Sequence, residues 1–567
     1  LARPGVKAAV ISSDAVIYGS LVGSRKHSFT RAQVLERAAR FDALQKSYPK
    51  IPLYVFGSIM RTPRSAEASG GEEPGYYASY GSDIFRYTAL SDKKETEGLT
   101  RREKKEYEFL QKLIPQAALD DWMVRRDKNF KASQRLIELA REGLFSYLAL
   151  GRDDNAPYSQ THMESRKLQK AGQDLGPARF QAMAGIDEFG LMMLTRAVND
   201  WTRTVPFVYV KYNWGRGGDT VPTYSDEKIS DTVKAHITAT GALLVASPKN
   251  ADFVLCVNTN PNGKTYEAND RANDGKPREG TKYFVNLVAE SVDAGPTCVA
   301  DIAYANGADN ALMEALKGRD LLFKLRAYSG WNTATNSTGF VLCQGMLSAK
   351  MEPDAYDQLL LRRYLDDWAY QANVRGVVAR QLGWLRASGT YSSLNERREA
   401  AEQRTTRLMQ RFCEDNLPPF GDLPYLTVTF PWNRMFEARF SFPRPFDYQE
   451  YKIESHHFSN FDFYFAYNDL DNKQGFFTKA ILFKKKNEII DPIGYIRGNK
   501  IFNGERLLFS GVIHTQKFAG WKITVADRNN SIATVFYTNN GENMTEGPLL
   551  IWKNDMLVQY VIDTSML

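Results

Sequence analysis

From residue 6 to about 345 the chain alternates short, almost continuously apolar runs with amphipathic stretches. The apolar runs are KAAVISSD, IPLYVFGSI, FSYLALG, ARFQAMAG, PFVYVKY, ADFVLCVN, CVADIAYAN and LLFKLRAYSG. Runs apolar at nearly every position suit strands covered on both faces, so the pattern predicts a mostly parallel sheet with helices outside it. Helical spacing predicts helices over residues 30–48, behind the cap-forming Thr30, and over 101–114, 118–142, 187–202 and 308–318. The expected class is parallel α/β. The number of strands over this span favours a (β/α) barrel lacking its first strand over an open doubly wound sheet.

The pattern then changes twice. From about 352 to 415 apolar residues recur at helical spacing throughout, which predicts a helical subdomain, and the Pro- and aromatic-rich stretch 417–445 is expected to pack back on the α/β domain. Beyond about 446, alternating runs such as FDFYFAY, LLFSGVIH, WKITVAD and IATVFYT, separated by Asn, Gly and Asp, predict an antiparallel β domain. The expected domains are therefore 1–345, 346–445 and 446–567.

Composition narrows the function. With 43% hydrophobic and 25% charged residues the chain has a globular composition. Its net charge of +7 is spread among interleaved acidic and basic residues, which implies no nucleic-acid groove. No window has the length of a transmembrane helix and no signal segment is visible, so no membrane partner is expected. The chain begins at Leu1 and almost at once enters a strand, so the natural N-terminus is expected to be missing, which leaves cytoplasmic and exported locations both open. Cys256, Cys298, Cys343 and Cys413 lie far apart and read as buried free thiols. The six histidines are scattered, no GxxxxGK[ST] loop occurs, and GRGGD at 215–219 lacks the spacing of a dinucleotide fingerprint. No cofactor is expected.

What remains is carboxylate chemistry. Most strand candidates run directly into polar residues, and the carboxyl ends of parallel strands form the rim where ligands bind. Asp153 and Asp154 end the run LALGRDD, where two adjacent carboxylates repel each other unless a cation or a shared proton relieves them. They are the leading catalytic candidates, with Asp187, Glu188 and Asp301 in reserve. Asp14, Tyr18, Arg25, Arg61, Tyr158, Asn306, Trp331, Asn332 and Asn336 are the candidate substrate-binding residues. Structural roles compete for several of them: Asp187 suits a helix N-cap with Glu188 in the first turn, Asp301 a strand end, Asn332 and Asn336 a turn, and Arg61 an acidic helix face.

The ordered motifs SSDAVIYGSLVGSR, FGSIMRTPR, DIFRY, RRDKNF, LGRDDNAPYS, GIDEFG, DIAYANGAD, AYSGWNTATNSTG and FPWNRMFE resemble the bacterial family catalogued as domain of unknown function 4127, over residues 6 to 440. The chain departs from that family's pattern in lacking its opening Leu-Asp-x-Arg-Pro strand, in Gly19-Ser20 where Gly-Gly is usual, and in Arg152 where Gln precedes the Asp pair. The resemblance implies a family without implying an activity. The residues themselves support an expectation of a glycoside hydrolase acting on an amino sugar or related glycan: such chemistry needs two carboxyl groups among aromatics and amides, loosely as in the substrate-assisted hexosaminidases. In that reading Asp154 is the acid and Asp153 orients the substrate. The alternatives are a non-catalytic protein binding a glycan or small metabolite, and a metal-dependent hydrolase using Asp14, Asp154, Asp187 and Asp301.

Overall fold

The computed structural model describes residues 3–64, 71–153, 155–351, 353–382, 391–417 and 426–441, and beyond these the backbone of strands between Lys452 and Val561. The chain divides into two compact units, one of Leu1–Arg398 with Trp432–Glu437, the other of Glu399–Pro431 with Ala438–Leu567.

Among the described residues the first unit holds two larger parallel sheets and a two-residue parallel pair, Tyr266–Glu267 with Tyr304–Ala305. Strands β1 (Ala9–Ser12), β2 (Leu53–Ile59), β3 (Tyr147–Arg152) and β4 (Phe180–Ala184) pair in chain order. The second sheet contains β5 (Phe207–Tyr212), β6 (Leu243–Leu244), β7 (Phe253–Asn258), β8 (Thr297–Asp301) and β9 (Ala327–Ser329), in the spatial order β6-β5-β7-β8-β9. All neighbours in both sheets are parallel. The parallel α/β class is thus present and all eight apolar runs contain a strand. Closure into a barrel is not: among the described residues no pairing joins β4 to β5 or β9 to β1. Within the second sheet the order is 2-1-3-4-5, a common doubly wound order, whose direction of winding reverses between β5 and β7.

The helices are α1 (Ser13–Tyr18), α2 (Leu21–Lys26), α3 (Arg31–Ala38), α4 (Arg40–Ser47), α5 (Tyr77–Thr96), α6 (Arg101–Leu113), α7 (Gln116–Arg141), α8 (Gln160–Ala171), α9 (Phe189–Thr202), α10 (Ile229–Ala239), α11 (Glu279–Ala294), α12 (Asn310–Gly318), α13 (Ala334–Leu347), α14 (Pro353–Arg363), α15 (Arg375–Leu382) and α16 (Arg398–Asn416). Thr30 caps α3 through a capping box with Gln33, as its position predicts, and Thr100 does the same for α6 with Glu103. The helix expected over 30–48 is broken at Ala39 into α3 and α4. Between α14 and α15 the chain continues as a π-helix, Tyr364–Val374.

Side-chain alternation explains the layers. In the first sheet Leu53, Val55, Leu148 and Leu150 face a core with Val34, Ala38, Leu136 and Ile137 of α3 and α7. Their neighbours Tyr54, Tyr147 and Ala149 face the opposite core, built on Phe189, Met192 and Met193 of α9. Both faces are therefore covered, which is why the runs are apolar throughout. The second sheet sets Val208, Leu255, Val257, Cys298 and Ala300 against α10 and α13. All four cysteines are buried thiols.

In the second unit an eight-stranded antiparallel sheet runs in chain order from Lys452–Phe458 to Ile532–Thr538, and Pro548–Lys553 pairs with Met556–Val561 as a hairpin. Thr427–Thr429 pairs with Arg439–Ser441.

Gly151, on β3, tests how tightly the first sheet meets the turn into α9. A Cβ there would lie 2.2 Å from the Gly185 carbonyl oxygen, and backbone must move to admit it. Gly151→Ala is expected to destabilise the first unit by about 1–3 kcal/mol, read as a lower urea midpoint.

Candidate functional site

Arg25 and Arg61 converge on the end of β3. Arg25, buried in α2, donates from Nη2 to Asp153 Oδ2 at 2.9 Å and from Nη1 to Glu72 Oε2 at 2.9 Å. Arg61, just past β2, donates to Glu73 Oε1 at 2.7 Å and Glu72 Oε2 at 2.9 Å, with its Nη1 3.6 Å from Asp153 Oδ2. Arg434, from FPWNRMFE, adds a third guanidinium 3.0 Å from Glu72 Oε1. Burial raises the Glu72 carboxyl, but Arg61, Arg25 and Arg434 outweigh it and hold the group below its ordinary value. Asp153 and Glu72 keep a small part of their side chains exposed while Arg25, Arg61 and Glu73 are buried, so the cluster forms a largely enclosed, charged rim. Asp154 lies outside the described residues.

A second group of predicted residues lies where the carboxyl ends of the two sheets meet. Asn332, held at φ 55° after β9, donates to Asp187 Oδ2 at 3.1 Å and to Asn336 Oδ1 at 2.8 Å. Asn336 donates to Glu188 Oε2 at 2.6 Å. Asn306, at φ 61°, donates its backbone N–H to the Asn332 carbonyl and its amide to Glu267 Oε2 at 2.8 Å. Glu267 also accepts from Tyr224, whose own carbonyl accepts the Asn155 N–H two residues past Asp153. A polar path thus runs from the end of β3 to the end of β9.

Asp187 is exposed and is not the N-cap of α9; that position is Glu188. The Glu188 carboxyl is fully buried and accepts from the Ile186 N–H instead of capping the helix. Two glycines make room for it: a Cβ on Gly185, which sits at φ 101°, would lie 1.8 Å from Oε1, and one on Gly339 would lie 2.4 Å from Cγ. Its Oε1 is 3.5 Å from His236 Nε2 and has no hydrogen-bond partner. Burial, reinforced by Asp187, pushes the Glu188 carboxyl up to about 8, and burial pushes the His236 imidazole down to about 4. Both groups are therefore neutral near pH 7.

The remaining candidates are dispersed. Asp14 is buried behind the rim, accepting from the Ser58 N–H at 2.7 Å and hydroxyl at 3.1 Å, and burial raises it to about 7. Tyr18 stacks on His27. Tyr158 donates to Glu97 at the end of α5, with the Lys93 ammonium 6.0 Å from its ring. Trp331 packs edge-on against Phe340. Asp301 is fully buried at the end of β8, where it accepts from Asn258 Nδ2, the Asp309 N–H and the Tyr328 hydroxyl at 2.9, 2.7 and 2.9 Å. Burial and the Asp309 charge raise it to about 7. Among the described residues, which leave out Asp154, no three His, Cys, Asp or Glu side chains are grouped to hold a metal ion.

Sequence reading missed Glu72, Glu73, Arg434, Asp226 and Glu227. Their signal is partnership: each of the four carboxylates pairs with an arginine, and Arg434 with Glu72, more than ten residues away in the chain. Arg152 turns from the rim to Asp226 and Glu227, and lines a cavity of about 440 Å³ with His162, Arg166 and Lys170 of α8. Among the described residues no helix is long and apolar enough to cross a membrane.

The Glu188 value sits above the ordinary 4.5, so the folded state binds more protons and loses stability as pH rises from about 4.5 through about 8. Glu188→Gln keeps the shape of the protonated acid. The variant is expected to gain on the wild type across that window by up to about 1 kcal/mol per pH unit, measured as urea midpoints at several pH values.

No curated protein and no solved structure matches the chain. The family model described as Protein of unknown function (DUF4127) matches residues 2–441, a span that takes in both parallel sheets, the Arg25–Arg61–Asp153 rim and the Asn332–Asp187 contact. The chain belongs to this family.

Proposed function

We propose that the chain is a hydrolase of the glycoside class, acting on an amino sugar or related glycan at the rim around Asp153 and Asp154. The observation that carries this reading is the convergence of Arg25 and Arg61 on the partly exposed Asp153 just past β3. Glycoside hydrolysis needs one carboxyl group to donate a proton and a second to attack, activate water or orient the substrate. A carboxylate fixed by a buried guanidinium suits orientation, because its position is set before the substrate arrives. Asp153 takes that role and its neighbour Asp154 that of the acid. Asp187, exposed and bonded to Asn332, is the reserve partner. Glu188 and Asp301 have no exposed surface and act in this reading only as positioning groups, Glu188 for the Asn336–Asn332 pair and Asp301 for the end of β8.

The same rim suits a protein that binds a glycan or small metabolite without turning it over, since Asp153 is already committed to ion pairs. Assay against a panel of aryl glycosides separates the two. Turnover is expected, with kcat falling at least about 100-fold in Asp154→Asn. Glycan binding that survives Asp154→Asn, with no turnover of any glycoside by the wild type, would establish the binding role instead.

We also propose that residues 446–567 fold by themselves and carry no catalytic residue. Their strands pair with sequence neighbours, so pairing closes within the segment. The isolated segment is expected to show one cooperative thermal transition by circular dichroism, and an unfolded or aggregated product would refute its independence.

A further inference from the structure

The amino ends of β5 and β6 lie opposite the carboxyl ends where Asn332 meets Asp187, and they lack a helical cover. In this sheet α10, α11 and α12 link the other successive strands, but β6 reaches β7 through residues 245–252, whose single 3-10 turn is Pro248–Asn250. Parallel crossovers are usually helices, and the helix shields the sheet face it crosses. Helices α10 and α13 cover the face that carries Val208. The opposite face carries Phe207 and Leu243, which pair in register, and both stay exposed, Leu243 at 54%.

Three more exposed apolar side chains join them: Trp201 at the end of α9, Val205 and Leu244. The Asn199 amide ties the end of α9 to the Thr240 carbonyl at 2.9 Å, and the Leu243 N–H donates to the Pro206 carbonyl at 2.8 Å. The five therefore share one patch. Fourteen large apolar side chains are exposed among the described residues; scattered ones need no explanation, but five together mark a contact surface.

The charge around the patch is one-sided. Arg203 and Lys249 are exposed in the same segments, and the exposed Lys350 donates from Nζ to the Thr204 hydroxyl at 3.2 Å. Among the described residues none of the three is ion-paired. Within residues 194–207 and 243–252 the carboxylates are Asp200, ion-paired with Arg196, and Asp252, whose Oδ2 accepts the Phe207 N–H at 2.7 Å. Three unpaired cations thus stand beside one unpaired carboxylate.

We propose that this patch docks on the surface of an anionic lipid bilayer. Tryptophan, phenylalanine and leucine side chains enter the boundary between headgroups and acyl chains, while lysine and arginine beside them meet the lipid phosphates. A second copy of the chain would bring the same cations against each other, so charge favours the lipid over self-association. The contact is interfacial, and the lack of a helix long enough to span a membrane does not bear on it.

Flotation of the full chain with vesicles of phosphatidylcholine alone, or of equal parts phosphatidylcholine and phosphatidylglycerol, tests the surface. The protein is expected to float with the anionic vesicles, less as salt rises, and to stay behind with the neutral ones. Affinity for the anionic vesicles is expected to fall at least about tenfold in Arg203→Gln with Lys249→Gln, each cation counting for about fivefold. A similar fall is expected in Trp201→Ser with Phe207→Ser. Lys104→Gln with Lys112→Gln, on α6, removes the same net charge and is expected to change nothing. Arg203 and Lys249 are exposed, so their variant keeps the test open should the apolar pair not fold. Three outcomes would overturn the proposal: no flotation of folded wild-type protein with anionic vesicles, undiminished flotation of the folded patch variants, or an equal loss in the α6 variant. In the first case, an oligomer that dissociates in Trp201→Ser with Phe207→Ser would assign the patch to a second copy instead.

Discussion

The two larger parallel sheets of the first unit pair no strand with each other among the described residues, so side-chain packing must join them, and helix α9 is central to it. Phe189, Met192 and Met193 pack against Tyr54, Tyr147 and Met183 of the first sheet, while Cys343 of α13 joins the same core. A helix between two layers must be apolar over most of its circumference, as FGLMML is. At its start the neutral Glu188 carboxyl bonds to Asn336 of α13, so the hydrophobic contact also acquires a fixed register. Burying that carboxyl is tolerated because burial itself shifts it toward the protonated form, which carries no charge to desolvate.

This arrangement brings the carboxyl ends of the two sheets together, where Asn332 bonds to Asp187. The first is charged and built by ion pairs between remote segments, with Glu72 and Arg434 drawn from loops 362 residues apart in the chain. Buried ion pairs contribute little net stability, because desolvation offsets most of the attraction. Three guanidiniums gathered around Glu72 and Asp153 therefore mark a place where position matters more than stability, as ligand sites do. The second is a buried hydrogen-bond network around Asp301, which accepts from Asn258, the Asp309 N–H and Tyr328.

Much of the architecture was legible. Every apolar run of the first 345 residues contains a strand, because strands buried on both faces leave a continuous apolar signature. Thr30 marks a helix start, because a side-chain cap is a local interaction. The amphipathic stretch 30–48 was not divisible by eye, since the break at Ala39 leaves the apolar spacing intact. Tyr158 shows a contact that could not be read locally. Its place behind the Asp pair suggested a ligand, but α8 turns it to Glu97, a partner 61 residues back.

The sequence alone determined that the chain is parallel α/β with an antiparallel β region after it, and that polar residues follow its strands, since period and apolar run length are local properties. Tertiary structure decided that, among the described residues, the strands pair in separate sheets, because pairing depends on which edge strand finds which partner. It also decided which carboxylates share a site. Asp153 stands ion-paired at a partly exposed rim because Arg25 and Arg61 reach it from other segments, while Glu188 and Asp301, equally acidic in sequence, are enclosed and neutralised by their surroundings. Burial and distant charge set what an ionisable side chain can do, and neither is written at its own position in the chain.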